Sequence, residues 1–412
     1  MNDETLHPAS QPTSGSKAPE VSRSAVPPNG SHGGSESGRI SIGRRESVVD
    51  DGSNVSAAEL ESIRLLLAGS SVLDWHQLAF TDLAQVNRFL RVNEFDPDSA
   101  EDMERLENVR AEAVEYLTRH FGYRIPEEVA EVVPAHELLL LASRRARYQT
   151  YACVVLKVMH VLQHLDGREI LFKLPVSDDQ VFGLIESKVV QIVDQMRSAG
   201  LPIVEFAWSR KERDSLITKL LAKRDTLAAH VYDKIRFRLI TRRWEDLGSV
   251  LRELCNRLVP FNYVIPGQSV NTLLPFEKIF EVQPATKRLR AELQPDAEIN
   301  IPELQPNFFS SAAYRVINFV ADLPLRVGQI MNHVGLTDVP FDPSAVVYVL
   351  TEFQVMDAQT AIKNEEGESS HAVYKERQHI EVKARLTRGS KSKKHGNSNG
   401  HGNGHGNGSR ET

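Results

Sequence analysis

Cysteine is nearly absent: Cys153 and Cys255 are the only two in 412 residues. Both fall in apolar stretches with helical spacing, so two buried, reduced thiols are expected, which suits a reducing cytosol and leaves no disulfide framework. Long hydrophobic runs are missing too. The longest, Val132–Ala142, is broken by Glu137 and falls far short of the roughly 20 apolar residues that cross a bilayer. The N-terminal sequence MNDETLHPAS has neither a basic segment nor an apolar core, so no secretory signal is expected there. Nor is there an excess of positive charge. A net charge of −6 is wrong for a protein that coats nucleic acid with its whole surface, so any contact with polyanions must be local. No repeat of fixed period runs through the chain. What remains is ordinary globular composition, 41% hydrophobic and 25% charged, expected in the cytoplasm with no membrane contact.

The two ends read alike. Residues 1–55 are rich in Ser, Gly, Pro and Asn, and residues 388–412 run from a basic patch into a Gly/Asn/His repeat. Neither can bury enough apolar surface to offset the entropy of ordering, so both are expected to be disordered. His395, His401 and His405 in the second tail lack a folded shell that would fix metal-ligand geometry. Between the tails, residues 56–200 are expected to be a mostly helical domain. Ser56-Ala-Ala-Glu59 has the form of a capping box ahead of an apolar stripe at Leu60, Ile63, Leu66 and Leu67. Further amphipathic stretches follow at 82–92, 99–120, 134–166 and 178–199. His160 and His164, four apart on one of them, are expected as core or interface histidines. After Gly200 strands alternate with helices: strands at Ile203–Trp208, Ile235–Thr241, Tyr314–Leu325 and Val346–Val355, helices at Glu245–Leu258 and Ala361–Gln378. Residues 266–312 are proline-rich and expected as an irregular insertion. The expected fold class is therefore α+β, a mixed sheet flanked by helices over 201–387, preceded by the helical domain.

The chemistry concentrates between Trp208 and Thr241. Lys211, Ser215 and Lys219 are spaced i, i+4, i+8, and would share one face of a helix there. Two cations and a hydroxyl on one stripe suit phosphate oxygens, although a charge run of this kind also suits a solvated helix face. Asp233 immediately precedes the strand IRFRLIT, and Glu352 interrupts the apolar strand VVYVLTEFQVM. A carboxylate inside such a strand is paired with a cation, exposed on a solvent face, or bound to a metal. Two strand-borne carboxylates beside a phosphate-binding stripe are the minimum for a Mg²⁺-nucleotide site.

Four blocks, in order, resemble the synthetase domain of the RelA/SpoT alarmone synthetases. They are SRKERDSLITKL from Ser209, YDKIRFRLIT around Asp233, AAYRVIN at Ala312–Asn318, and EFQVMD at Glu352–Asp357 followed by GESSHAVYK at Gly367–Lys375. The resemblance implies a nucleotidyltransferase-like synthetase fold, which transfers the ATP β,γ-pyrophosphate to the 3′-hydroxyl of GDP, GTP, a related nucleotide or an RNA end. Mg²⁺ is the implied cofactor, with Asp233 and Glu352 as metal ligands and Glu352 also accepting the proton of the attacking hydroxyl. Arg210, Lys211, Lys219 and Arg238 would neutralise phosphates, and Tyr314 would stack on the acceptor base. Ser215, Arg315, Asn318, Gln354, His371 and Lys375, inside the matched blocks, complete the implied substrate set. The pattern also departs from the family. Ser209 stands where the family has its first Arg, Val316 and Asn318 replace a Ser and a His, and Met356 replaces a cation. The helical part has no adjacent His-Asp pair, so no hydrolase site is expected there. Three functions stay open: an active pyrophosphokinase, a nucleotide- or RNA-binding regulator that keeps the fold without turnover, and a structural interaction protein. Oligomerisation is compatible with each.

Overall fold

The computed structural model describes residues 37–41, 55–68, 78–222, 234–275, 278, 313–337, 340–366 and 371–387. Helices open the described part after a first strand, β1 (Ser37–Ser41), which lies inside the segment expected to be disordered. The first helix, α1 (Ala57–Ala68), begins at the capping box read from the sequence. Ser56 N donates to Glu59 Oε2 at 2.8 Å and Glu59 N donates to Ser56 Oγ at 3.3 Å. Next come α2 (Leu83–Val92) and α3 (Ala100–Phe121). Ser99 caps the start of α3, and Gly122, at φ +65°, ends it in the left-handed conformation that only glycine adopts cheaply.

The amphipathic stretch 134–166 is not one helix. A 3₁₀ turn leads into α4 (Leu138–Ser143), and the chain resumes as α5 (Gln149–Lys173). The helix α6 (Asp178–Ser198) starts at a second capping box, between Ser177 and Gln180.

The sheet follows, with strands β2 (Ile203–Arg210), β3 (Ile235–Thr241), β4 (Val270–Asn271), β5 (Ile317–Arg326) and β6 (Val346–Asp357). Its order is β1-β2-β3-β6-β5-β4, and β3 and β6 are parallel while the other neighbours are antiparallel. Interleaved with the strands are α7 (Arg213–Ala222), α8 (Leu247–Arg257), α9 (Val327–Val334), α10 (Ala358–Glu365) and α11 (His371–Thr387). The class is α+β, as expected. The strand expected from Tyr314 starts three residues later, at Ile317. The helix expected over Ala361–Gln378 is two helices, α10 and α11. Most of the proline-rich stretch 266–312, and both tails apart from β1, lie outside the described residues.

Two cores hold the described part together, and residues 35–412 form one unit by their internal contacts. The larger core lines one face of the sheet with Phe206, Phe237, Phe353 and Phe319, covered by α1, α6, α8 and α9. The second lies among α2 to α5, with Phe261 reaching into it. A polar joint connects the helical part to the sheet. Arg326 at the end of β5 forks onto both carboxylate oxygens of buried Asp102 on α3, and Lys188 on α6 bonds Glu94 at 2.6 Å and the Pro324 carbonyl at 2.7 Å. Burial alone would raise the Asp102 carboxyl, but the Arg326 bond, an amide bond from Asp96 and the nearby guanidinium charges hold it below its ordinary range. Cys153 and Cys255 are free and buried, and burial pushes their thiols up to about 11 and about 12.

Candidate functional site

Strand alternation decides which side chains can meet. Trp208, Phe237, Phe353 and Phe319 are register partners across β2, β3, β6 and β5. The Phe237, Phe353 and Phe319 rings stack with centroids 5.6 and 5.2 Å apart, and Phe206 stacks on Phe237 at 6.0 Å. Because the side-chain period of a strand is two, seating these rings in the core sends their sequence neighbours to the opposite face. Arg236 pairs there with Glu352, and Arg238 pairs with Gln354, which in turn pairs with Asn318. One polar face thus collects Arg236, Arg238, Glu352, Gln354 and Asn318 from three adjacent strands.

Glu352 is the centre of this group and is 6% exposed. Arg236 Nε donates to its Oε2 at 2.7 Å. Assigned from its hydrogen-bond partners, the Asn318 amide turns its nitrogen to β6 and donates to Glu352 Oε1 at 2.8 Å and to the Phe353 carbonyl at 3.2 Å. Arg238 reaches Glu365 on α10 at 3.4 Å. Two elements bracket the face. At one end α5 carries His164, which bonds buried Asp322 of β5 at 2.8 Å, and Arg168, 3.8 Å from the same carboxylate. Asp322 is the register partner of Leu350, two residues before Glu352. At the other end the face turns apolar: Ile240, Val316, Met356 and Ala361 form a small buried cluster, with Tyr314 packed against it. Asn364 of α10 holds the Tyr314–Arg315 segment in place by bonding the Arg315 amide at 3.0 Å and its carbonyl at 2.7 Å.

The sequence-predicted residues separate under this geometry. Glu352, Arg238, Asn318 and Gln354 come together on one face, with Tyr314 and Arg315 at its apolar end. Arg210 does not join them. It is the register partner of Ile235 on the core side, and its guanidinium binds Glu186 of α6 through two bonds, at 2.7 and 2.9 Å. Lys211 is not on a helix with Ser215 and Lys219, because its amide extends the ladder to the Lys234 carbonyl at 2.9 Å and α7 begins only at Arg213. Ser215 and Lys219 remain one turn apart on α7, and Lys375 is exposed on α11, which packs on α7. Asp233 lies outside the described residues, as does the side chain of His371.

Two functional-looking residues were not read from the sequence. Arg236 had a signal, since it shares the alternation of IRFRLIT with Arg238. Asp322 had none; His164, read as a core or interface histidine, meets it from 158 residues away.

The Mg²⁺ implied by the sequence resemblance can be tested against Glu352 as it stands. A Mg²⁺ ligand oxygen sits about 2.0–2.1 Å from the ion. Both Glu352 oxygens already accept hydrogen bonds, and one comes from a guanidinium that cannot give up its charge. A divalent ion at Glu352 would have to share the carboxylate with the Arg236 guanidinium or displace it, and the second implied ligand, Asp233, lies outside the described residues.

No family model and no curated protein matches the chain. Solved structures are similar to it. A GTP pyrophosphokinase family protein from Streptococcus pneumoniae is 14% identical, over 52% of this chain and 86% of that one, at a TM-score of 0.28. The small alarmone synthetase 1 from Bacillus subtilis is 15% identical over 52% and 89% of the two chains, at 0.27. A second structure of that synthetase, bound to its product pppGpp, is 13% identical over 57% and 96%, at 0.24. The site described above rests on strand register and side-chain contacts alone.

Proposed function

We propose that this chain binds a nucleoside polyphosphate on the polar face of its sheet. One observation carries the reading: Arg236, Arg238, Asn318 and Gln354 gather around Glu352 on a single face, with the Tyr314 ring at the apolar end of the same face. Guanidinium groups recognise phosphate oxygens through paired, charge-assisted hydrogen bonds. A half-buried tyrosine beside an apolar floor suits a stacked base. The RelA/SpoT-like sequence blocks supply the remaining support, since Glu352, Gln354, Asn318, Tyr314 and Arg238 all belong to them.

A second reading adds turnover: pyrophosphate transfer, in which the acceptor 3′-oxygen forms a bond to the ATP β-phosphorus, the bond to the α-phosphate oxygen breaks, AMP leaves and the hydroxyl proton passes to a base. The parallel pairing of β3 with β6 favours it, because it brings the strand that follows Asp233 alongside Glu352. The Arg236–Glu352 ion pair opposes it, since the pair occupies the carboxylate that this chemistry would use.

Incubating the full-length protein with γ-labelled ATP and GDP, GTP, GMP or a short RNA separates the two, alongside calorimetric titration of ATP, GDP and GTP. Binding without a labelled acceptor product supports the first reading. A labelled acceptor promotes the second. No heat of binding with any of the three nucleotides would discard both.

A further inference from the structure

We propose that Glu352 is a positioning residue for Arg236 and not a metal ligand, so that phosphate binding on this face proceeds without a divalent cation. The inference rests on the nucleotide reading above and names the cation that serves it. Glu352 and Arg236 are register partners on parallel strands, and the stacked phenylalanines behind them hold that register. Sliding either strand by one residue would turn the rings out of the core, so the pair is fixed by the fold and not by side-chain chance.

The pair is also sheltered. The Glu352 side chain is 7% exposed, while that of Arg236 is 28% exposed, so the carboxylate is enclosed and the guanidinium reaches the open face. With Nε turned to Glu352 and the Asn318 amide closing the other oxygen, the guanidinium is held in one orientation. A cation fixed in advance loses little entropy when an anion arrives. A divalent ion bound at Glu352 would instead have to sit against, or displace, a permanent positive charge at a nearly buried carboxylate. Arg238, paired with the half-exposed Glu365 at 3.4 Å, supplies a second guanidinium on the same face. Met356, buried where the family resemblance leads one to expect a cation, supplies none, which leaves phosphate recognition to β3.

The test is titration of the full-length protein with GDP and ATP, once with a chelator and once with excess Mg²⁺. Mn²⁺ alone is followed separately by water-proton relaxation. Affinities equal within about threefold in the two conditions are expected, together with no Mn²⁺ bound tightly to the nucleotide-free protein. Glu352→Gln keeps the shape and leaves Arg236 in place. It should retain chelator-resistant binding within about tenfold, whereas loss of a metal ligand would abolish binding. Arg236→Ala should lose at least about tenfold of the chelator-resistant affinity. Should that variant fail to fold because Glu352 is left unpaired, Glu352→Gln still decides. Nucleotide binding that appears only with Mg²⁺, tight Mn²⁺ binding by the free protein, or abolished binding in folded Glu352→Gln would each overturn the inference. Absence of nucleotide binding under both conditions would overturn the nucleotide reading itself, whatever Mn²⁺ does.

Discussion

At the scale of single residues, Glu352 illustrates how an expensive group is tolerated. A nearly buried carboxylate costs several kcal/mol unless its charge and lone pairs are met locally. Arg236 and Asn318 meet them from the two neighbouring strands. Removing Arg236 alone would leave an uncompensated buried charge, which typically costs about 3–5 kcal/mol. Tyr314 answers a different question, because it packs at the edge of the Ile240, Val316 and Met356 cluster and contributes a ring to the face. Tyr314→Ala is expected to weaken GDP binding by about 1–3 kcal/mol through lost stacking. The same titration with inorganic triphosphate, which has no base, should show no such loss. Equal losses for both ligands would mean that the ring only holds the loop.

At the scale of elements, the approach of α5 to β6 depends on one glycine. Gly167 lies inside α5, and a Cβ there would come within 2.5 Å of the Val346 carbonyl and 2.6 Å of the Tyr348 ring. Tyr348 cannot yield easily, since it is buried and its hydroxyl is hydrogen-bonded to that of Tyr263 at 2.8 Å. Alanine is the better helix former by about 1 kcal/mol, but here the clash dominates. Gly167→Ala is expected to destabilise the protein by about 1–3 kcal/mol, read as a lower melting temperature. An unchanged or higher melting temperature would show that α5 can lift away freely. The same helix carries His164 and Arg168 to the polar face, so this packing also sets one wall of the candidate site.

At the scale of the molecule, the sheet and the helical part meet around His160, whose ring lies 4.6 Å from that of Tyr263. Burial, helped by neighbouring His164, lowers its pKa from 6.5 to about 3. The native state therefore keeps His160 neutral where the unfolded chain protonates it. Between those two values the unfolded state binds more protons, so this contribution is intact above about pH 6.5 and is lost as pH falls toward 3, by up to about 1.4 kcal/mol per pH unit. Denaturant unfolding at several pH values should show stability falling on acidification. The fall should be shallower in His160→Gln. Parallel pH profiles for the two proteins would assign the acid sensitivity to other groups. No described helix is long and apolar enough to cross a membrane.

Local chemistry was legible where its cause is local. The cap at Ser56 and the alternation of IRFRLIT act over a few residues, and the start of α1 and the whole of β3 followed from them. The candidate site was legible in part: the strand period placed Glu352 in β6, and the resemblance singled out Arg238, Asn318 and Gln354 beside it. What the period could not say was which side of each strand the helices would cover. That choice sent Arg210 to Glu186 and left Arg236 on the open face beside Glu352. Sequence spacing also put Lys211 on a helix, whereas the β2–β3 ladder, a contact 23 residues apart, keeps it extended. The edge strand β1 lies in a stretch too polar to predict as a strand, and it forms by pairing with β2, more than 160 residues away. Periodicity and capping are written in consecutive residues, so the chain alone determined them. Partners, faces and the fate of a buried charge depend on groups that only folding brings together.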